Sequence, residues 1–331
     1  MPAETSARVQ LSVAEARALS DKALLALGYA EDDVRILSDH MLDAALCGYE
    51  YSGLPKILNV AEQRQLRPAP TEMRVLYETP VSTRFDGGGE NGMLTLYRAT
   101  QAAILKASVQ GFSIVGVNNT WMSGRGSFYV ELMARAGFIG LHTVSSRFQV
   151  APPGGAKPAL GTNPMAFGFP TEGDPLLIDM GTSALMFTDL ALKVRRGEQL
   201  HAGLAIDADG RPTQDPLLAS LGAVLPFGGY KGFALGLAMQ ALGILAGSGE
   251  DKEKSGYLLI AIKPDLMLPL VEYKRELQLS LQRIKATPLQ AGVSEIRIPS
   301  ERSYSERLKN TRCGITVDRD VVLALEKLTA S

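Results

Sequence analysis

The chain has 331 residues, 46% of them hydrophobic and 21% charged. That is long enough for two lobes, each with apolar material for a buried core. Its 34 basic and 35 acidic residues leave a net charge of -1, which excludes a basic footprint for nucleic acid or an anionic membrane.

In chain order, the polar stretch of residues 1–10 lacks the apolar region of a secretory signal. Residues 11–27 carry apolar positions at helical spacing, with Ser12 as N-cap, Glu15 three residues on and Gly28 as the stop. Residues 31–47 predict a second amphipathic helix, stopped by Gly48, and residues 54–65 a third. Extended runs follow at 73–78, 112–117, 140–144, 165–169, 176–179 and 258–262, with helices between them at 93–109 and 128–136. The longest apolar stretch, 233–246, contains glycines and is too short to span a bilayer. Residues 247–255 read as an exposed loop, and helices return at 268–286 and 319–329. The organisation expected is α/β: residues 1–75 together with 268–331 form a helical domain, and residues 76–267 an α/β domain. The two cysteines, Cys47 and Cys313, propose neither a disulfide framework nor a metal site. The compartment expected is the cytoplasm.

Five segments carry candidate chemistry. The run Gly87-Gly-Gly-Glu-Asn-Gly92 satisfies G-x-G-x-x-G. A dinucleotide fold, however, wants an acidic residue about 20 positions on, where Asn118 and Asn119 stand. Pro80 and Arg84 also sit poorly in a buried central strand, so the run is read as a turn with a helix start. Leu225-Pro-Phe-Gly-Gly-Tyr-Lys231 precedes an apolar helix and reads either as a phosphate or carboxylate site or as a solvated lysine after a tight turn. The loop from Asn118 to Gly126 follows a strand, where open α/β sheets place ligands, although on these residues alone an ordinary connecting loop is the stronger reading. Gly161-Thr-Asn-Pro164 and Ile178-Asp-Met-Gly-Thr-Ser183 each set small polar residues beside an apolar strand. His40, His142 and His201 have no neighbouring pattern that proposes a triad, and each is read as structural.

Taken in order, residues 160–170, Asp179-Met-Gly-Thr-Ser183, Asp207 to Thr213 with Asp215-Pro216, and Leu225 to Gly232 resemble one family. It is the family of malate/L-lactate/L-sulfolactate dehydrogenase-like oxidoreductases, which includes ureidoglycolate dehydrogenase and the Δ1-piperideine-2-carboxylate/Δ1-pyrroline-2-carboxylate reductases. The resemblance implies a non-Rossmann NAD(P)-binding α/β lobe, a helical lobe built from both chain ends, and a homodimer. It implies NADPH or NADH as cofactor and a small carboxylate as substrate. Cofactor contacts are implied for Met122, Ser123, Gly124, Arg125 and Gly126, for Ser145 and Ser146, for Asp179, Met180 and Gly181, for Lys231, and for Ser300, Glu301 and Arg302. Thr162 matches a substrate-contacting position, and no metal is implied.

The departures lie in the acid–base apparatus. The family follows its second helix with Ser-His-Gly and an arginine, whereas this chain has Tyr51, Ser52, Gly53 and Lys56. A second family histidine is Met122 here, and a common Gly-Lys is Thr188-Asp189. The expectation is an NAD(P)H-dependent reductase of a 2-imino (cyclic ketimine) or 2-oxo carboxylate. Lys56 would hold the carboxylate, with Tyr51 and Ser52 at the reacting centre. A 2-imino acid is favoured, because an iminium protonated in solution needs only hydride. The competing reading is an inactive relative that binds a nucleotide or metabolite.

Overall fold

The computed structural model describes residues 7–249 and 255–329. After a short strand β1 (Arg8–Leu11), helix α1 (Val13–Ala26) starts at a complete capping box. The Glu15 N–H donates to Ser12 Oγ at 3.2 Å, and the Ser12 N–H donates to Glu15 Oε2 at 2.8 Å. Helix α2 (Glu31–Leu46) opens with Glu31, Asp32 and Asp33, charges that suit the positive end of the helix dipole. Helix α3 (Pro55–Leu66) begins with Pro55, whose missing N–H is no loss in the first turn. These helices enclose Leu24, Leu37, Met41, Leu54 and Ile57, all essentially inaccessible to solvent. Full burial of such side chains contributes about 1.5–3 kcal/mol each.

The chain then builds β2 (Arg74–Glu78), β3 (Ser82–Asp86), α4 (Gly92–Gln110), β4 (Phe112–Asn118), α5 (Gly126–Arg135), β5 (Ile139–Ser145), β6 (Met165–Phe169) and β7 (Leu176–Met180). Next come α6 (Phe187–Arg196), a small three-stranded sheet of β8 (Ala205–Ile206), β9 (Pro212–Thr213) and β10 (Ala223–Val224), with α7 (Pro216–Leu221) between the last two, and then α8 (Tyr230–Leu245). Strand β11 (Gly256–Ile262) inserts between β4 and β5, giving a seven-stranded sheet in the order β2-β3-β4-β11-β5-β6-β7. Helices α9 (Leu270–Lys285) and α10 (Glu301–Cys313), strand β12 (Ile315–Asp318) and helix α11 (Arg319–Thr329) close the chain. β12 pairs antiparallel with β1, and Ile315, Val317, Val322 and Leu325 enter the same core as α1 to α3. Both chain ends therefore build the helical lobe. Helix α9 stands apart, with no buried residue of its own.

Only the β3–β4 neighbours in the large sheet are parallel; the other five pairs are antiparallel. A doubly wound dinucleotide fold is built on parallel strands, so this sheet is not one. The glycine-rich run does connect β3 to α4 as the fingerprint would. Its N–H groups are nonetheless spent inside the protein: Gly87 on Asn118 O, Gly89 on Asn119 O and Gly92 on Trp121 O. A side chain on Gly88 would collide with the Thr71 carbonyl. The glycines serve close backbone packing against the following loop. Of the loop expected at 247–255, residues 250–254 lie outside the described residues. No helix among the described residues is long and apolar enough to cross a membrane.

Candidate active site

A cavity of about 470 Å³ opens between the helical lobe and the sheet. On the helical side it is lined by Tyr49, Ser52 and Lys56. Facing them are the loop Met122 to Gly126 and, from the sheet, His142, Ala166 and Asp179 to Gly181. Met186 and Asp189, around the start of α6, complete the rim. The structure thus brings together Ser52, Lys56, Met122, Ser123, Gly124, Arg125, Gly126, Asp179, Met180 and Gly181.

The loop is held from below. Met122 and Gly124 both take positive φ, 57° and 68°, the first costly for a side-chain-bearing residue. The Arg125 N–H donates to His40 Nε2 at 2.9 Å, so the buried imidazole is neutral with its proton on Nδ1, an atom with no partner. Burial, with Arg125 and Lys56 nearby, pushes His40 down to about 3. The Arg125 guanidinium bonds Asp43 Oδ2 and Ser127 Oγ, each at 2.9 Å. Asp43 also meets Arg307 of α10 at 2.7 Å, and Arg307 meets Glu131 of α5 at 2.7 Å. This largely buried network ties α2, the loop, α5 and α10 together.

The sheet wall is set by register. Ala166 of β6 pairs with His142 on one side and with Asp179 on the other. Directly paired residues project from the same face of a sheet, so the three form one row there. Asp179 Oδ2 accepts the Ser127 N–H at 2.7 Å, at the N-terminal end of α5. His142 Nδ1 lies 3.1 Å from the Leu258 carbonyl, and this bond makes Nδ1 the protonated nitrogen and Nε2 the acceptor. Burial pushes this imidazole down to about 4, against the opposing pull of the Leu258 carbonyl and of Asp179.

Lys56 is the contrasting cation. Its ammonium rests 4.6 Å from the centre of the Tyr51 ring and meets no carboxylate among the described residues, while burial lowers its pKa. In the same cavity Arg125 is already paired.

A family model for malate/L-lactate dehydrogenase matches residues 11–326. The chain belongs to the malate/L-lactate dehydrogenase family. Among its relatives, malate/(S)-sulfolactate dehydrogenase of Methanothermus fervidus is 30% identical over 332 residues, covering 96% of each chain. The Δ1-pyrroline-2-carboxylate/Δ1-piperideine-2-carboxylate reductase of Pseudomonas putida is 35% identical over 260 residues, covering 74% of each. The crystal structure of Δ1-piperideine-2-carboxylate reductase from Pseudomonas syringae pv. tomato superposes with a TM-score of 0.85 at 28% identity, covering 97% of this chain and 99% of that one. This member of the family is therefore an oxidoreductase with the non-Rossmann α/β architecture.

Several residues expected at the site lie elsewhere. Tyr51 lines an adjoining cavity of about 600 Å³ that shares Tyr49, Ser52 and Asp189 with the first. Thr162 is buried, its carbonyl accepting the Thr182 N–H at 2.9 Å and the Thr182 hydroxyl at 3.0 Å. Ser145 is buried against Gly243 of α8, and the Ser146 N–H donates to Asn163 Oδ1 at 3.0 Å. Lys231 is exposed in the first turn of α8, outside the cavity. Ser300, Glu301 and Arg302 line a third cavity of about 610 Å³ beside α9. Tyr49 links that region to the first cavity: its ring lies 4.3 Å from the Arg125 guanidinium and 4.9 Å from that of Arg302. Among the described residues no group of three His, Cys, Asp or Glu could hold a metal ion. Tyr49, His142, Val144, Pro164, Met165, Ala166, Met186 and Asp189 line the cavity without having been expected at the site.

Proposed function

We propose that this oxidoreductase reduces a small 2-imino (cyclic ketimine) or 2-oxo carboxylate by hydride transfer from NADPH or NADH. The observation that carries the reading is Lys56, a largely buried cation in a cavity of about 470 Å³, without a carboxylate partner among the described residues. A desolvated, unpaired ammonium is costly unless an anion joins it, and a substrate carboxylate is such an anion. As a compact point charge it would anchor the carboxylate without the fixed fork of an arginine. The P. putida and P. syringae relatives, named for pyrroline- and piperideine-2-carboxylate, and the sulfolactate and malate dehydrogenases support the substrate class.

The residues present fit a nicotinamide. The cavity together with its neighbour has the volume of an ordinary small-molecule site. Gly124, Gly126 and Gly181 present bare backbone along its wall. When bound, the cofactor supplies the hydride. Loop 122–126 and Asp179 to Gly181 would hold its ring, while Lys56 turns the substrate carboxylate away from the reacting carbon. Lys231 and Ser300 to Arg302 would reach only more distant parts of the dinucleotide. A second copy of the chain is the partner we assign to the apolar face left by α8, where Leu237, Ile244 and Leu245 are exposed. The test is a panel of 2-oxo acids and cyclic imines incubated with NADPH or NADH. Oxidation of the cofactor by at least one member supports the reading, and cofactor binding without turnover of any member refutes it.

A further inference from the structure

Ser52 stands where the family motif carries its histidine, and an aliphatic hydroxyl is too weak an acid to deliver a proton unaided. The cavity nevertheless contains an imidazole, brought from the opposite wall. We propose, on the reading given above, that His142 is the acid–base residue of this site, exchanging the proton that accompanies hydride transfer.

Three observations converge on it. His142 lines the cavity although nearly all of its surface is buried, so the part left open faces the cavity. Its orientation is fixed: Nδ1 is engaged by the Leu258 carbonyl, and the Tyr129 ring packs edge-on with centroids 5.3 Å apart. Nε2 is thereby presented as a lone-pair acceptor, with no hydrogen-bond partner among the described residues. Finally, the ring edge and the Asp179 carboxylate converge beside Gly126, whose missing side chain permits the close approach. A Cβ built on Gly126 would stand 3.3 Å from both His142 Cδ2 and Asp179 Oδ1, so the ring edge bearing Nε2 and the carboxylate approach one point on the cavity wall.

For a 2-hydroxy acid, the C–H bond breaks and its electron pair leaves as hydride to the oxidised nicotinamide. The O–H bond breaks, its pair becomes the second C–O bond, and the proton forms a new N–H bond at Nε2 of His142. The carbon is oxidised by two electrons and the cofactor reduced by two. In reduction the steps reverse: Nε2 of the neutral resting imidazole draws a proton from solvent and passes it to the carbonyl oxygen or to an unprotonated imine nitrogen as the hydride arrives. Burial disfavours the imidazolium, and the Leu258 carbonyl and Asp179 offset part of that penalty. A bound 2-oxo acid then has a proton source, and solution-protonated imines are no longer the sole accessible substrates.

The experiment uses the full chain and the variants His142→Gln and His142→Ala. Turnover of the best panel substrate is measured alongside the NADPH dissociation constant by fluorescence, with circular dichroism to verify folding. Removing a general acid–base residue is expected to lower kcat by roughly 10²–10⁴-fold. The dissociation constant should stay unchanged, and added imidazole should restore turnover in His142→Ala. A folded His142→Gln with wild-type kcat on a 2-oxo acid overturns the proposal while leaving the hydride-transfer reading intact. A lowered kcat in His142→Ala that imidazole fails to raise, with weakened NADPH binding, assigns His142 to cofactor packing and also overturns it. Wild-type protein that binds NADPH yet turns over nothing overturns the parent reading.

Discussion

The backbone N–H of Arg125 donates to Nε2 of His40 at 2.9 Å, so a buried imidazole on α2 holds the loop that forms one wall of the candidate-site cavity. His40 is packed against the Phe128 and Tyr129 rings, at 4.4 and 5.5 Å between centroids, and cannot turn away. His40→Phe keeps the ring and removes the acceptor. Leaving the Arg125 N–H buried and unsatisfied is expected to cost about 1–3 kcal/mol, read as a lower urea midpoint. NADPH binding should weaken with it, because the loop loses its anchor. An unchanged midpoint and an unchanged dissociation constant would show the bond to be dispensable.

Acid should destabilise the fold through its two buried histidines. His40 and His142 are pushed from 6.5 to about 3 and about 4, so between pH 6.5 and 4 the unfolded chain takes up protons that the folded one refuses. Stability is therefore full above pH 6.5 and falls as pH drops through this window. Each histidine contributes a slope of up to about 1.4 kcal/mol per pH unit. Urea unfolding at several pH values should show this slope, reduced in His40→Gln. A variant with the wild-type slope would contradict it.

Asp43 bridges Arg125 and Arg307 at 2.9 and 2.7 Å, and all three side chains are largely buried. Asp43→Ala leaves Arg125 without its carboxylate and Arg307 with only Glu131. The expected loss is about 3–5 kcal/mol, the usual result of stranding a buried charge. Thermal denaturation of the variant measures it, and a melting temperature equal to wild type would refute the bridging role.

Lys56→Met removes the unpaired ammonium while keeping an apolar stem. KM for carboxylate substrates should rise by roughly 10- to 100-fold, the equivalent of a charge-assisted hydrogen bond of about 1.5–3 kcal/mol. The NADPH dissociation constant should change little. Identical KM values for every carboxylate would remove Lys56 from the substrate site.

Much of the fold was legible because apolar spacing and stop signals agree. The capping box at Ser12 and Glu15, the stops at Gly28 and Gly48, and the strand at 165–169 all appear where the pattern places them. Helix α10 was not, since it is almost wholly polar and contacts the rest through ions such as Arg307 rather than an apolar stripe. Strand β3 was hidden by Arg84 and by Pro80, which lies outside the strand in the bend after β2. The resemblance points to the loop 122–126 and the Asp179 turn, and the fold gathers both at one cavity. The placement of His142 there was not legible, because it depends on Ala166 pairing with both β5 and β7, a register that no local pattern encodes. Lys231, in its Gly-Gly-Tyr-Lys motif, stands exposed in the first turn of α8, outside that cavity.

The most direct test follows the hydride itself. Purified protein is supplied with nicotinamide cofactor carrying deuterium at the transferable position, in both NADH and NADPH forms. Pyruvate and other 2-oxo acids, Δ1-piperideine-2-carboxylate and Δ1-pyrroline-2-carboxylate are offered in turn, and the products are analysed by mass spectrometry. The expected product is a 2-hydroxy or cyclic 2-amino acid bearing one deuterium on the carbon next to the carboxylate. Bound cofactor that remains reduced with every member of the panel, with no deuterium in any product, would contradict it.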